Sequence, residues 1–194
     1  MSILSGHLLS IIAFLPLLGA LVILCLPRRF ALEIRIISLA FAAATLILTI
    51  ALASSFVPTG EFQFGELAPW IPALNIHYRV GIDGVSLLMV LLTAILAPAA
   101  IAVSWFEIDR RIKAFHALIL LLQTGLIGTF IALDAFLFYV FWEAVLIPMY
   151  FIIGLWGSGQ RVRSSIKFVI FTTLGSLMML VGILYCSAAA GGSF

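Results

Sequence analysis

Long apolar stretches separated by short polar connections run along almost the whole chain. A helix that crosses a bilayer needs about 20 consecutive apolar residues, because the hydrocarbon core is about 30 Å thick. Six stretches satisfy this requirement. The pattern predicts an all-α polytopic membrane protein, a single transmembrane domain over residues 1–194, with helices at 7–26, 34–57, 85–106, 115–133, 135–156 and 168–187.

The connection at residues 58–84 is the only long one between these stretches. Its second half, 76–82, alternates apolar and polar residues, which is typical of a strand. The aromatic residues at 62 and 64 indicate a partner strand, so the sequence predicts a small outer β-hairpin. The prolines within 68–72 are expected to interrupt any strand between them. Asp83 is expected to cap the third helix by accepting hydrogen bonds from amides near Val85 and Ser86.

Composition excludes most soluble proteins and most cofactor sites. Hydrophobic residues make up 64% of the chain and charged residues only 9%, whereas soluble domains carry about 25% charged residues. A net charge of +2 and scattered basic residues argue against nucleic acid as a partner. Two cysteines cannot supply the four thiolates of an iron–sulfur cluster, and the three histidines have no second metal ligand at helical spacing. We therefore expect no cofactor-binding or metal site.

The basic residues predict the orientation of the chain in the membrane. Nine of the ten lie beside odd-numbered connections, and only Arg79 lies in an even-numbered one. Loops rich in Lys and Arg stay in the cytoplasm. We therefore expect cytoplasmic basic loops, with the N-terminus, the 58–84 loop and the C-terminal tail outside.

Glu143 is the main candidate for a functional residue in the sequence. It lies nine residues after Asp134, inside the fifth apolar stretch, which places it about 13 Å from the outer end, near the membrane midplane. A charged carboxylate there costs about 3 kcal/mol or more. The group must therefore be protonated or face a partner, water or a cavity, and a proton carrier needs the same surroundings. The alternative is a buried Glu that only anchors helix packing.

Several neighbouring residues support a functional carboxylate. Pro148 has no amide hydrogen, so the carbonyl of Ala144 loses its helical partner and becomes a spare acceptor. Tyr139 and Tyr150 stand at i−4 and i+7 from the carboxylate and share roughly its helix face. In the fourth stretch, Gln123 could line a water path, although the small residues that follow it favour close helix packing.

Five motifs resemble one known family. They are Phe-Tyr-Val-Phe-Trp-Glu-Ala-Val-Leu-Ile-Pro-Met-Tyr at 138–150, Gly-Leu-Trp-Gly at 154–157, Val-Gly-Ile-Asp-Gly-Val-Ser at 80–86, Leu-Thr-Ala-Ile-Leu-Ala-Pro at 92–98, and a run within 166–177. Together they resemble the antiporter-like membrane subunits of respiratory complex I, the NADH–quinone oxidoreductase. The match is closest to the M subunits of the bacterial enzymes, whose mitochondrial counterpart is chain 4.

The resemblance implies proton translocation coupled to NADH oxidation and quinone reduction. In this family the glutamate that matches Glu143 pairs with a lysine of the following broken helix. The resemblance also implies that NADH, FMN, iron–sulfur clusters and quinone bind partner subunits, that neighbouring antiporter-like subunits and the lipid bilayer are the partners, and that the location is the bacterial inner membrane.

The resemblance also implies a longer protein. Family subunits cross the membrane about fourteen times in two inverted repeats, so we expect this chain to be an N-terminal portion, with the lysine partner outside it. Two other functions remain open at this stage. One is the corresponding subunit of a multi-subunit cation/proton antiporter or of a membrane-bound hydrogenase. The other is a non-catalytic fragment with a packing or assembly role.

Overall fold

The computed structural model describes residues 7–27, 29–72 and 75–189. Within these ranges the chain forms six helices and one β-hairpin, in agreement with the predicted fold class. The elements are α1 (Leu8–Cys25), α2 (Ala31–Ser54), β1 (Gln63–Ile71), β2 (Ile76–Ile82), α3 (Gly84–Glu107), α4 (Ile112–Ile131), α5 (Ala135–Trp156) and α6 (Arg161–Ala189). All six helices are long and apolar enough to cross a membrane, so this is a multi-pass membrane protein.

All helix ends but one lie within three residues of the predicted ones, and the exception arises where polar residues continue a helix. The largest difference is in α6, which begins at Arg161 rather than at residue 168. Apolar length predicts the part of a helix that lies in hydrocarbon, whereas arginine and lysine also favour helix and extend it beyond that part. The helices α2 and α4 each begin three residues before the predicted start, and α5 has the predicted bounds.

The helix α4 lies at the centre of the bundle. It packs against α1, α2, α3 and α5, while α6 packs against α5 at one side. One end of the bundle carries the hairpin, and we call it the hairpin end. The opposite end carries the connections that follow α1, α3 and α5 with most of the basic residues that the structure describes, and we call it the basic end. Each end has its own cluster of buried apolar side chains.

Two glycines of α4 set the close approach of α4 and α5. A Cβ atom on Gly125 would come within 2.7 Å of the Val145 side chain, and one on Gly128 would overlap the Phe141 ring. The spacing of small residues in the sequence predicted this packing. The equivalent glycines of α6, Gly175 and Gly182, have open space beside them in the described part of the chain.

The hairpin contains a longer first strand than the sequence predicted. The strands are antiparallel, with Ala68 opposite Tyr78 and Pro69 opposite His77. The expectation that residues 68–72 would interrupt the strand was therefore wrong. A two-stranded sheet has only edge strands, so a proline can face the open side, where no amide hydrogen is needed. The register does become irregular between Pro69 and Ile71.

Glu66 of β1 fastens the hairpin to the start of α1. Its Oε1 accepts hydrogen bonds from the amides of Leu9, at 2.8 Å, and Ser10, at 3.2 Å. Its Oε2 accepts from the Ser10 hydroxyl, whose oxygen also lies 2.7 Å from the Tyr78 hydroxyl. Because the single Ser10 proton goes to Glu66, Tyr78 is the donor in the second contact. Burial raises the pKa of Tyr78, so the phenol keeps this proton.

Two aspartates cap the other helices that begin at the hairpin end. Asp83 forms the predicted cap of α3, in which Oδ1 accepts from the Ser86 amide at 2.7 Å and the Ser86 hydroxyl accepts from the Asp83 amide. The bonds from Ser86 lower the pKa of Asp83. Buried Asp134 caps α5 through the amides of Phe136 and Leu137, and its Oδ2 accepts from the His77 amide of β2. The hairpin is thereby held at α1 and α5.

We expect Gly128→Leu to destabilise the bundle, because a larger side chain would overlap the Phe141 ring. Overpacking of this kind lowers the free energy of unfolding by about 1–3 kcal/mol. Thermal unfolding of the chain in detergent micelles measures the change. Gly175→Leu is the matched control, since its position has open space, and it should shift the unfolding temperature little. Equal shifts for both variants would contradict the close α4–α5 contact.

Glu66→Ala should release the hairpin from α1, because two helix amides would lose their acceptor. A loss of this kind costs about 1–3 kcal/mol, and local opening controls proteolysis. Trypsin cleavage after Arg79 in β2 should become about tenfold faster, since 1.4 kcal/mol corresponds to that factor. Glu61→Ala, at an exposed position of the same connection, should leave the cleavage rate unchanged. Unchanged cleavage in both variants would argue against the Glu66 attachment.

Candidate functional site

Glu143 lies in the middle of α5, well away from either end of the helix. The helix begins at the Asp134 cap, so the carboxylate is about 13 Å from the hairpin end at 1.5 Å per residue. The residue is half-buried, and its Oε1 atom is fully buried without a hydrogen-bond partner in the described part of the chain. A buried acceptor without a partner is costly, so the surroundings of this atom determine what the group can do.

The carboxylate faces a pocket of about 570 Å³ between α5 and α6. Its walls are mostly apolar, and its polar side chains are Glu143, Tyr150 and Thr173. Ala144, whose carbonyl was predicted to lose its helical partner, also lines this pocket. A pocket of this size has room for several water molecules. The Glu143 side chain can therefore meet water in this pocket, or a polar group from outside the described residues.

Tyr139 completes the polar side of the site one helical turn before Glu143. Its side chain lies close to the Glu143 side chain and to Ser176 of α6. Of the residues singled out in the sequence, Tyr139 thus lies near the carboxylate, and Ala144 and Tyr150 line its pocket. Pro148 is buried in the same stretch of α5 but does not line the pocket.

Gln123 does not belong to this site. Phe141 and Val145 face α4, as their contacts with the α4 glycines establish. Glu143 stands between them in sequence and therefore projects from the other side of α5. Gln123 instead lines a separate pocket of about 300 Å³ between α3 and α4. Its side-chain nitrogen and oxygen are buried there and have no partner within the described residues.

The sequence interpretation missed the contribution of α6 to the site. Val169 and Thr173 line the pocket, and Ser176 contacts Tyr139. The positions 169, 173 and 176 follow the i, i+4, i+7 spacing of one helix face. That spacing is visible in the sequence, but small and polar residues at such a spacing also occur at ordinary packing faces.

The described residues contain no group of three or more His, Cys, Asp and Glu side chains close enough to hold a metal ion. The carboxyl group of Glu143 can gain and lose a proton, and the hydroxyl groups of Tyr139 and Tyr150 lie near it or line its pocket.

Comparison with known proteins connects this site to a family. Residues 132–193, which contain α5 and α6, match the family described as NADH:quinone oxidoreductase/Mrp antiporter, TM. NADH-quinone oxidoreductase subunit M of Rhodobacter capsulatus is 39% identical over 190 residues, which cover 95% of this chain and 36% of the relative. F(420)H(2) dehydrogenase subunit M of Methanosarcina mazei is 47% identical over 125 residues, covering 64% and 25%.

A solved structure of a respiratory complex shares the fold of this chain. A chain of respiratory complex I from Thermus thermophilus with bound NADH superposes with a TM-score of 0.83 at 31% identity, covering 96% of this chain and 37% of that one. The present chain thus spans between a quarter and two fifths of the length of these three proteins. It belongs to the NADH:quinone oxidoreductase/Mrp antiporter transmembrane family, and its relatives include the M subunits of NADH-quinone oxidoreductase.

Proposed function

We propose that this chain forms part of a proton-translocating membrane subunit of a respiratory NADH–quinone oxidoreductase, and that Glu143 carries the translocated proton. The observation that supports this role best is the unpartnered, buried Oε1 atom of Glu143, halfway along a membrane helix and beside a pocket. Intramembrane acids are expensive and are functional by default.

The physical chemistry of the site suits a carboxyl group that changes its protonation state. When the group is ionised, it needs water or a cation in the pocket. When it is protonated, its hydroxyl needs an acceptor, and the hydroxyl of Tyr139 lies close enough to interact with it. Neither state is fully satisfied by the described residues alone, so the balance between them responds to what occupies the pocket.

The redox half of the proposed reaction belongs to partner subunits. NADH, FMN, iron–sulfur clusters and quinone would bind there, and neighbouring antiporter-like membrane subunits would be the direct partners of this chain. One relative is named as a subunit of an F(420)H(2) dehydrogenase rather than of an NADH enzyme. We therefore assign the choice of electron donor to the partner subunits and not to Glu143.

We further propose a location in the bacterial inner membrane with the basic end toward the cytoplasm. Arg29 and Arg35 lie at that end beside the first connection, Arg110 and Arg111 in the third, and Arg161 beside the fifth. The hairpin end then faces outward, and so would the N-terminus and the C-terminal tail. The positive-inside rule supports this orientation.

Cation/proton antiport is the second candidate, because the family description that matches this chain includes the Mrp antiporters. An antiporter subunit would move protons in exchange for sodium or potassium without an electron donor. Vesicles that contain the complete protein distinguish the two functions. Proton uptake that requires NADH supports the oxidoreductase, and uptake that a sodium or potassium gradient drives without NADH supports the antiporter.

Glu143→Gln in the complete protein should abolish proton translocation, because an amide cannot carry a proton at neutral pH. We expect at least a tenfold fall in NADH-driven proton uptake by inverted membrane vesicles, since groups that transfer protons contribute 10²- to 10⁴-fold to rates. Glu107→Gln is the matched control, at an exposed carboxylate of α3 at the basic end. It should leave uptake unchanged.

Normal translocation in Glu143→Gln would refute the assigned role. Glu143→Leu separates proton transfer from packing. If the residue only anchors the helices, the leucine variant should assemble and translocate protons as the unmodified protein does.

A further inference from the structure

A second buried titratable side chain lies outside the Glu143 site. His116 is fully buried in α4, close to the start of that helix at the basic end. Its Nδ1 atom is 2.9 Å from the hydroxyl oxygen of Ser38 in α2. The Nε2 atom is buried and has no hydrogen-bond partner within the described residues.

The hydrogen bonds of Ser38 determine which nitrogen of the neutral imidazole carries the proton. The Ser38 hydroxyl donates its only hydrogen to the carbonyl of Arg35, at 2.8 Å. Its oxygen can therefore only accept, and the hydrogen between Ser38 and His116 must belong to Nδ1. The neutral imidazole then has an unprotonated Nε2, which is a basic lone pair buried inside the bundle.

Hydrogen-bonded polar groups connect the Nδ1 side of His116, through Ser38 and Arg35, to the surface at the basic end. The Arg35 guanidinium donates to the carbonyl of Ile108 at 2.9 Å and to Asp109 at 3.3 Å. The Asp109 side chain is 84% exposed, whereas that of Arg35 is 16% exposed. The Nε atom of Arg35 is itself buried without a partner in the described part of the chain. Polar groups thus continue from the exposed connection to His116.

The same helix carries further unsatisfied polar atoms toward the middle of the bundle. Gln123 follows His116 by seven residues, so it lies about 11 Å further along roughly the same helix face, and Thr124 is the next residue. Both amide atoms of Gln123 and the hydroxyl of Thr124 are buried without a partner within the described residues. Water molecules are the simplest way to satisfy such atoms. Gln123 faces the α3–α4 pocket, away from Glu143.

We propose that His116 is a second proton-exchange site, with Nε2 as the accepting atom, on a polar path along α4 that is separate from the Glu143 pocket. Nε2 takes a proton from a hydronium ion, which is left as water. It later gives that proton to another water molecule, which leaves as hydronium, so the imidazole ends neutral.

This inference rests on the proposed function, and His116→Asn in the complete protein tests it. Asparagine can still donate a hydrogen bond to Ser38 from nearly the position of Nδ1, but it has no basic nitrogen. We expect assembly and thermal stability to remain normal. The number of protons taken up per quinone reduced should fall by up to about twofold in inverted vesicles, because one of at least two paths would be lost.

Ser38→Ala is the matched control, since it removes the hydrogen bond to α2 and keeps the imidazole. It should retain more proton uptake per quinone than His116→Asn. A purely structural histidine predicts the reverse, because the asparagine preserves the bond between α2 and α4. Normal uptake in His116→Asn, or an equal loss in both variants together with lowered stability, would overturn the proposal.

Glu143→Gln, measured in the same vesicles, separates the two proposals. A normal ratio in His116→Asn with a loss in Glu143→Gln would reject only the His116 path. A normal ratio in Glu143→Gln would reject the role proposed for Glu143. If His116→Asn does not assemble, His116→Gln replaces it, since its amide reaches toward the Nε2 position but cannot be protonated at neutral pH. Full proton uptake in that variant would overturn the His116 proposal.

Discussion

The absence of water from the bilayer core is the constraint on which this structure depends. Each backbone amide and carbonyl in hydrocarbon must find a partner in the protein, and a helix supplies one for all but the terminal groups. At the hairpin end, three carboxylates accept hydrogen bonds from the free amides: Glu66 for α1, Asp83 for α3 and Asp134 for α5. Two of them also bind the hairpin to the helices, so helix capping and hairpin docking use the same side chains.

The same constraint makes the buried polar atoms without hydrogen-bond partners informative about function. Oε1 of Glu143, the amide of Gln123 and Nε2 of His116 are buried without partners in the described part of the chain. Each costs free energy that an apolar side chain would not. They lie on two sides of the central helix pair, with Glu143 toward α6 and the other two along α4. A membrane protein that moves protons needs such sites, because a fully satisfied group has no reason to exchange its proton.

Most of the fold followed from the one-dimensional pattern of apolar residues. Six apolar stretches corresponded to six helices, and the alternation at 76–82 corresponded to β2. The two larger errors have physical causes. The strand β1 continues through Pro69 because a two-stranded sheet has an open side, and α6 begins at Arg161 because a helix can extend beyond the hydrocarbon. The pattern of apolar residues indicates which residues contact lipid. A helix or strand, in contrast, continues wherever its backbone hydrogen bonds are satisfied.

The sequence by itself determined that one acid lies midway along a membrane helix, since its depth depends only on residue count. It also indicated the hydroxyl groups of Tyr139 and Tyr150 as neighbours, because they share a helix face with Glu143. Only the tertiary structure decided which way that face turns. Gly125 and Gly128 admit Val145 and Phe141, which fixes the rotation of α5 about its axis. This contact directs Glu143 toward α6 and leaves Gln123 in a different pocket, and the pattern of a single helix contains no information about that rotation.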